Sequence, residues 1–221
     1  MKLLFSALVK FISGLLLVGA FLFISAWSFE YMNAWLFIAL LFIPMVILGI
    51  VLLVKAPDLL EKRLNAKEEE KTQRGVVAIS GLLFICGFVV AGLDFRFGWS
   101  RVPTWAVITA SFILLLSYVL YAEVMRENAY LSRTVEVQED QSVVDTGLYG
   151  IVRHPMYAVT LWLFLSIPVV LGSWWSLLCF LPYIPLFIVR ILNEEKVLEE
   201  GLDGYAEYKK HVRYRLVPFV W

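Results

Sequence analysis

Two cysteines in 221 residues are too few for a disulfide framework. Cys86 and Cys179 both fall inside apolar runs, read as small buried hydrophobes, and show no metal-ligand spacing. No metal is therefore expected. No Gly-x-Gly-x-x-Gly fingerprint opens a helix, which argues against a Rossmann cofactor site. The formal net charge is zero, so no bulk field favours nucleic acid as a partner. No internal repeat or low-complexity segment interrupts the chain.

What the chain has in excess is apolar length. Hydrophobic residues make up 61% of it and the mean hydropathy is +0.78, well above a soluble domain. Repeated runs long enough to cross a bilayer predict an all-α, polytopic integral membrane bundle with about six spans. They lie at roughly 5–26, 33–54, 76–92, 104–125, 156–172 and 174–192. Pro168, Pro182 and Pro185 predict bends or breaks in the last two, since proline removes a backbone donor and clashes one turn back. The basic start and the "ISA" ending at Ala26 look like a cleavable signal, but the apolar run is long for one.

Charge is distributed more tellingly than it sums. With a cytoplasmic N-terminus and six spans, only Arg96 and Arg101 of the 19 basic residues fall on the outer side. The positive-inside rule then predicts a multi-pass cell-membrane protein with both termini cytoplasmic. In the loop "KAPDLLEKRLNAKEEEKTQR", Leu59, Leu60 and Leu64 recur at helical spacing, as in a short helix lying on the membrane, although a solvated connector also accounts for the mixed charges. The tail after the last span is too polar to cross. Its tyrosines Tyr205 and Tyr208 suggest a cytoplasmic interfacial helix.

Polar residues crowd into the second half of the chain. In "GLYGIVRHPMY", His154 precedes a proline and is pushed out of helical geometry, while Pro155 suits the first helical position. His154 should thus sit beside the free N–H groups of a helix N-terminus, with Tyr157 turned toward the same pocket. A lone Arg-His pair at a span mouth is also an ordinary interfacial anchor. In "RILNEE", Arg190 and Glu194 are four apart and share a helix face. Alone, they read as a structural ion pair.

"GLYGIVRHPMY", then the Arg190-to-Glu-Glu segment after one helical hairpin, then "YAEYKKHVRYRLVP", together resemble the C-terminal signature of the isoprenylcysteine carboxyl methyltransferase family, to which the phospholipid N-methyltransferases are related. The resemblance covers about residues 126–221, which would form the methyltransferase-like region behind a four-span region, 1–125. It implies S-adenosylmethionine-dependent methyl transfer. The implied cofactor-binding residues are Gln138, Gln141, Ser142, Val143, Val144, Tyr149, His154, Pro155, Met156, Tyr157 and Glu194. Arg190 matches the family arginine facing the methyl acceptor, and Arg153 is the second candidate for a catalytic role. The implied partner is a lipophilic or lipid-linked carboxylate, amine or thiol in the membrane. A sulfonium methyl is already activated, so such a site must chiefly align the reactants and exclude water. Two other classes are a membrane reductase of sterol-reductase type using NADPH and a non-catalytic membrane protein.

Overall fold

The computed structural model describes residues 2–64, 71–128, 130–131, 137 and 141–221. Nine α-helices follow in chain order among the described residues: α1 Lys2–Ala26, α2 Met32–Lys55, α3 Pro57–Leu64, α4 Lys71–Phe97, α5 Thr104–Glu127, α6 Pro155–Val170, α7 Trp174–Phe180, α8 Tyr183–Gly201 and α9 Tyr205–His211. A 3-10 turn, Gly147–Gly150, leads into α6. No strand is present among these residues, in keeping with the all-α expectation.

Five segments are long and apolar enough to cross a membrane: Leu3–Ala26, Met32–Lys55, Gly75–Phe97, Thr104–Glu127 and Trp174–Gly201. The chain is a multi-pass membrane protein. The sixth expected span is α6, which is apolar but has only 16 residues. At the helical rise it reaches about 24 Å, short of a hydrocarbon core of about 30 Å. The span expected at 174–192 is divided at Leu181–Pro182 into α7 and α8, and α8 runs on to Gly201. Those nine further residues, 193–201, carry the acidic part of the site. The span expected at 76–92 likewise belongs to a longer helix, 71–97.

Burial is graded across the bundle. In α1 and α2, 11% of the most apolar window is buried, against 28% in α4, α5 and the α7–α8 segment. The first two helices therefore leave side chains such as Phe5, Leu16, Ile43 and Ile50 facing outward, where lipid is the natural solvent. The interior is aromatic. Phe84 lies edge-on to Phe164 and Phe180, with ring centroids 4.8 and 5.4 Å away, and Tyr183 joins the same group.

The two ends of the bundle differ. At one end the α1–α2 link, the C-terminal end of α4 and the α6–α7 turn are tied by buried polar groups. Asp94 is 1% exposed and accepts from the Ser100 amide at 2.7 Å and from the Ser100 and Ser173 hydroxyls, both at 2.5 Å. Tyr31 donates to the Leu171 carbonyl and Asn33 to that of Val170. At the other end lie α3, the start of α6, the end of α8, and α9. Here α3 buries Leu59 and Leu60, and Leu59 packs with Val124 and Met125 at the C-terminal end of α5.

Candidate active site

The entry to α6 is built from a turn and a proline. Gly147 has φ +55°, a conformation that side chains disfavour. A Cβ there would also collide with the Glu127 carboxylate. That carboxylate accepts the Leu148 amide at 2.9 Å and so caps the 3-10 turn. The turn buries Tyr149, whose hydroxyl accepts from Asn128 Nδ2 at 3.0 Å. Pro155 then starts α6, and His154 stands just outside it with φ −126° and ψ 60°, out of the helical region that a following proline disfavours.

The tail closes on this entry. The backbone amides of Arg153 and His154 donate to the carbonyls of Tyr214 and Arg215, each at 2.9 Å. The Arg153 side chain donates from Nη1 to the Val212 and Arg213 carbonyls at 2.7 and 2.9 Å, and from Nε to Glu195 Oε1 at 2.8 Å. Glu195 is 3% exposed and also accepts from Arg215 Nε at 2.9 Å, with His154 Nε2 at 3.3 Å. Three cationic or imidazole groups thus converge on one carboxylate and bind α6, α8 and the tail together. Arg153 is held by these contacts, and Glu195 is the organising residue that the sequence reading passed over. Its only signal was the second letter of a Glu-Glu doublet.

Glu194 points elsewhere. Its Oε2 accepts from the Tyr157 hydroxyl at 2.5 Å, and that hydroxyl accepts from Arg190 Nε at 2.8 Å. Arg190, Tyr157 and Glu194 therefore form one relay, with the phenol between the two charged groups. The i,i+4 spacing put Arg190 and Glu194 on one face, and Tyr157 supplies the link that spacing cannot reveal.

A cavity opens at this end. Gln141, Ser142, Val143, Val144, Tyr149, Arg153, His154, Met156, Tyr157 and Glu194 line it. Pro155 and Arg190 do not. Pro155 is buried in the helix start, and Arg190 lies one turn deeper, touching the cavity through Tyr157. Gln138 lies outside the described residues. Tyr130, Leu198, Leu202, Tyr205 and Tyr208 also line the cavity and were not among the expected contacts. Tyr208 donates to the Tyr149 carbonyl at 2.7 Å. Tyr205 is 4% exposed, and its hydroxyl has no partner among the described residues. Such a group ordinarily costs about 1–3 kcal/mol. Burial pushes the Tyr149, Tyr205 and Tyr208 phenols well above their usual range, so all three are neutral donors at physiological pH. No group of three His, Cys, Asp or Glu suited to a metal occurs among the described residues.

Residues 105–203 match the family model of the phospholipid methyltransferases. The matched stretch begins in α5 and ends just before α9, so it takes in the α5–α6 connection, the Arg-His-Pro entry and the whole of α8. It starts about twenty residues before the boundary at 126 drawn from the motifs, and so takes in most of α5. No curated protein matches the chain.

Proposed function

We propose that the protein is an S-adenosylmethionine-dependent methyltransferase whose acceptor is lipophilic and reaches the site from the membrane. One observation carries this reading. Residues that the family resemblance associates with the cofactor surround a single cavity at the polar end of a membrane bundle, and the cavity's chemistry suits that cofactor. Its walls offer Val143, Val144, Met156, Leu198 and tyrosine faces for an apolar, aromatic base. Glu194 offers a carboxylate for an ammonium or for ribose hydroxyls. The first turn of α6 offers a positive helix end for a carboxylate.

When bound, S-adenosylmethionine supplies a methyl group already activated by its sulfonium. The chain's task is then positioning and exclusion of water. Tyr157 is fixed from both sides, donating to Glu194 and accepting from Arg190, so its ring forms a rigid wall between cavity and bundle. Glu194 faces the cavity. Arg190 faces the interior one turn away, where a planar guanidinium in low dielectric can hold an acceptor's anionic or hydroxyl group by charge-assisted hydrogen bonds. Arg153 acts through Glu195 and the tail, which makes it a positioning residue. On this reading the cavity end faces the cytoplasm, where the soluble cofactor enters, and the acceptor's tail stays in lipid.

The decisive experiment uses the full chain in detergent or nanodiscs with methyl-labelled S-adenosylmethionine and a total membrane lipid extract. Label should appear in an organic-soluble product whose mass rises by one methylene. A protein that is folded, transfers no label and instead binds NADPH would overturn the reading.

A further inference from the structure

We infer that the Tyr205 hydroxyl is a hydrogen-bond donor to the cofactor, a contact that neither the motifs nor the family match assigns; this rests on the cofactor reading above. The other tyrosines of the cavity have partners: Tyr149 accepts from Asn128, Tyr157 donates to Glu194, and Tyr208 donates to the Tyr149 carbonyl. Tyr205 alone among the buried side chains of the described residues has a polar atom left over. Its ring cannot swing out to find water. Gly204 turns the chain with φ +84°, the Tyr205 amide is bonded back to the Leu202 carbonyl at 3.2 Å, and the ring lies 5.7 Å from that of Tyr208 in a cluster with Leu202 and Val212. A phenol held rigidly in a cavity wall, neutral at working pH, can offer one proton to whatever fills the space. The occupant must therefore present an acceptor there. S-adenosylmethionine has two kinds: its carboxylate, and the nitrogens and hydroxyls of its nucleoside. A fold that keeps an unpaired donor beside the cavity is largely preorganised, since the ring that carries it is already in place.

The test compares wild-type protein with Tyr205→Phe, which removes one oxygen and leaves the ring. Calorimetry with S-adenosylhomocysteine should show dissociation weakened about tenfold, the effect of one hydrogen bond of ordinary strength. Thermal unfolding without ligand should show an unchanged or higher midpoint, because the variant buries no unpaired donor. Tyr208→Phe should do the reverse without ligand and lower the midpoint, since its hydroxyl is already bonded. An analogue lacking the carboxylate separates the two sources. If the Tyr205→Phe penalty vanishes with it, the partner is the carboxylate, and if the penalty persists, the partner lies on the nucleoside. Affinity within twofold of wild type overturns the inference and leaves the cofactor reading standing. A lower midpoint without ligand also overturns it, by showing that the hydroxyl has a structural partner. Failure of the wild-type protein to bind overturns both.

Discussion

Glu194 and Glu195 are adjacent in sequence but turned about 100° apart on α8, and that rotation divides their work. Glu194 meets Tyr157 at the cavity, while Glu195 is buried against Arg153, His154 and Arg215. Removing one member of a buried charge cluster strands the others, at a cost of about 3–5 kcal/mol. Glu195→Ala should accordingly lower stability by about 3 kcal/mol in denaturant titrations of the detergent-solubilised protein, with little relief from added salt, because the cluster is shielded from solvent. An unchanged midpoint would mean that the tail is not held through this carboxylate. The Arg190–Glu194 pair makes a different prediction. Glu194→Gln should weaken S-adenosylhomocysteine binding. Arg190→Lys keeps a charge, loses the planar fork, and should leave that affinity within a few-fold while cutting methyl transfer on the order of a hundredfold. Equal loss of binding in both variants would make the pair a purely structural unit. At this scale the sequence located the neighbourhood but not the partners. Helical spacing relates residues on one helix, whereas Tyr157 and Arg215 reach α8 from other elements.

Among the elements, the spans were legible because an apolar run must bury or face lipid along its whole length. What a proline does inside a run was not legible. Pro168 sits within α6 without ending it, and Pro185 lies in the first turn of α8, where a missing N–H costs little. Only at Leu181–Pro182 does the helix divide, and that outcome depends on which neighbours take up the freed backbone groups. The short tail helix was legible as amphipathic. That it forms a wall of the cavity was not, because the contact joins α9 to the 3-10 turn across 59 residues. The turn itself was marked by Asp145-Thr146-Gly147, and its geometry carries a prediction. Gly147→Ala would place a side chain at φ +55° and against Glu127. It should cost about 1–3 kcal/mol and shift Tyr149. Both effects are measurable as a lower unfolding midpoint and weaker S-adenosylhomocysteine binding. A stability loss with unaltered binding would separate the turn from the cavity.

For the molecule as a whole, the two ends of the bundle are chemically unlike, and that asymmetry sets its orientation. One end is closed by neutral donors around Asp94, and the basic residue in contact there is Arg96, stacked over Trp27 at 5.6 Å. The other end gathers Arg63, Arg126, Arg153, Arg190, Arg213 and Arg215 with the lysines of the tail. Arg63 lies 5.3 Å from the centre of the Tyr121 ring and near Met156, at the edge of the cavity. Basic residues flanking spans resist translocation, so the cavity end should be cytoplasmic. An even number of crossings is then required, and it is met only if the short α6 traverses the bilayer together with the five longer segments. Its ends support this: His154 meets the tail at the polar face, while Val170 and Leu171 bond to Asn33 and Tyr31 at the opposite one. Topology reporters fused after Trp221 and inserted within 65–70 should both report cytoplasm, and a reporter between Gly98 and Arg101 should report the outside. Opposite signals at 65–70 and 221 would mean that α6 does not cross. The cavity end would then be split between two compartments, and the contacts joining Arg153 to the tail could not form.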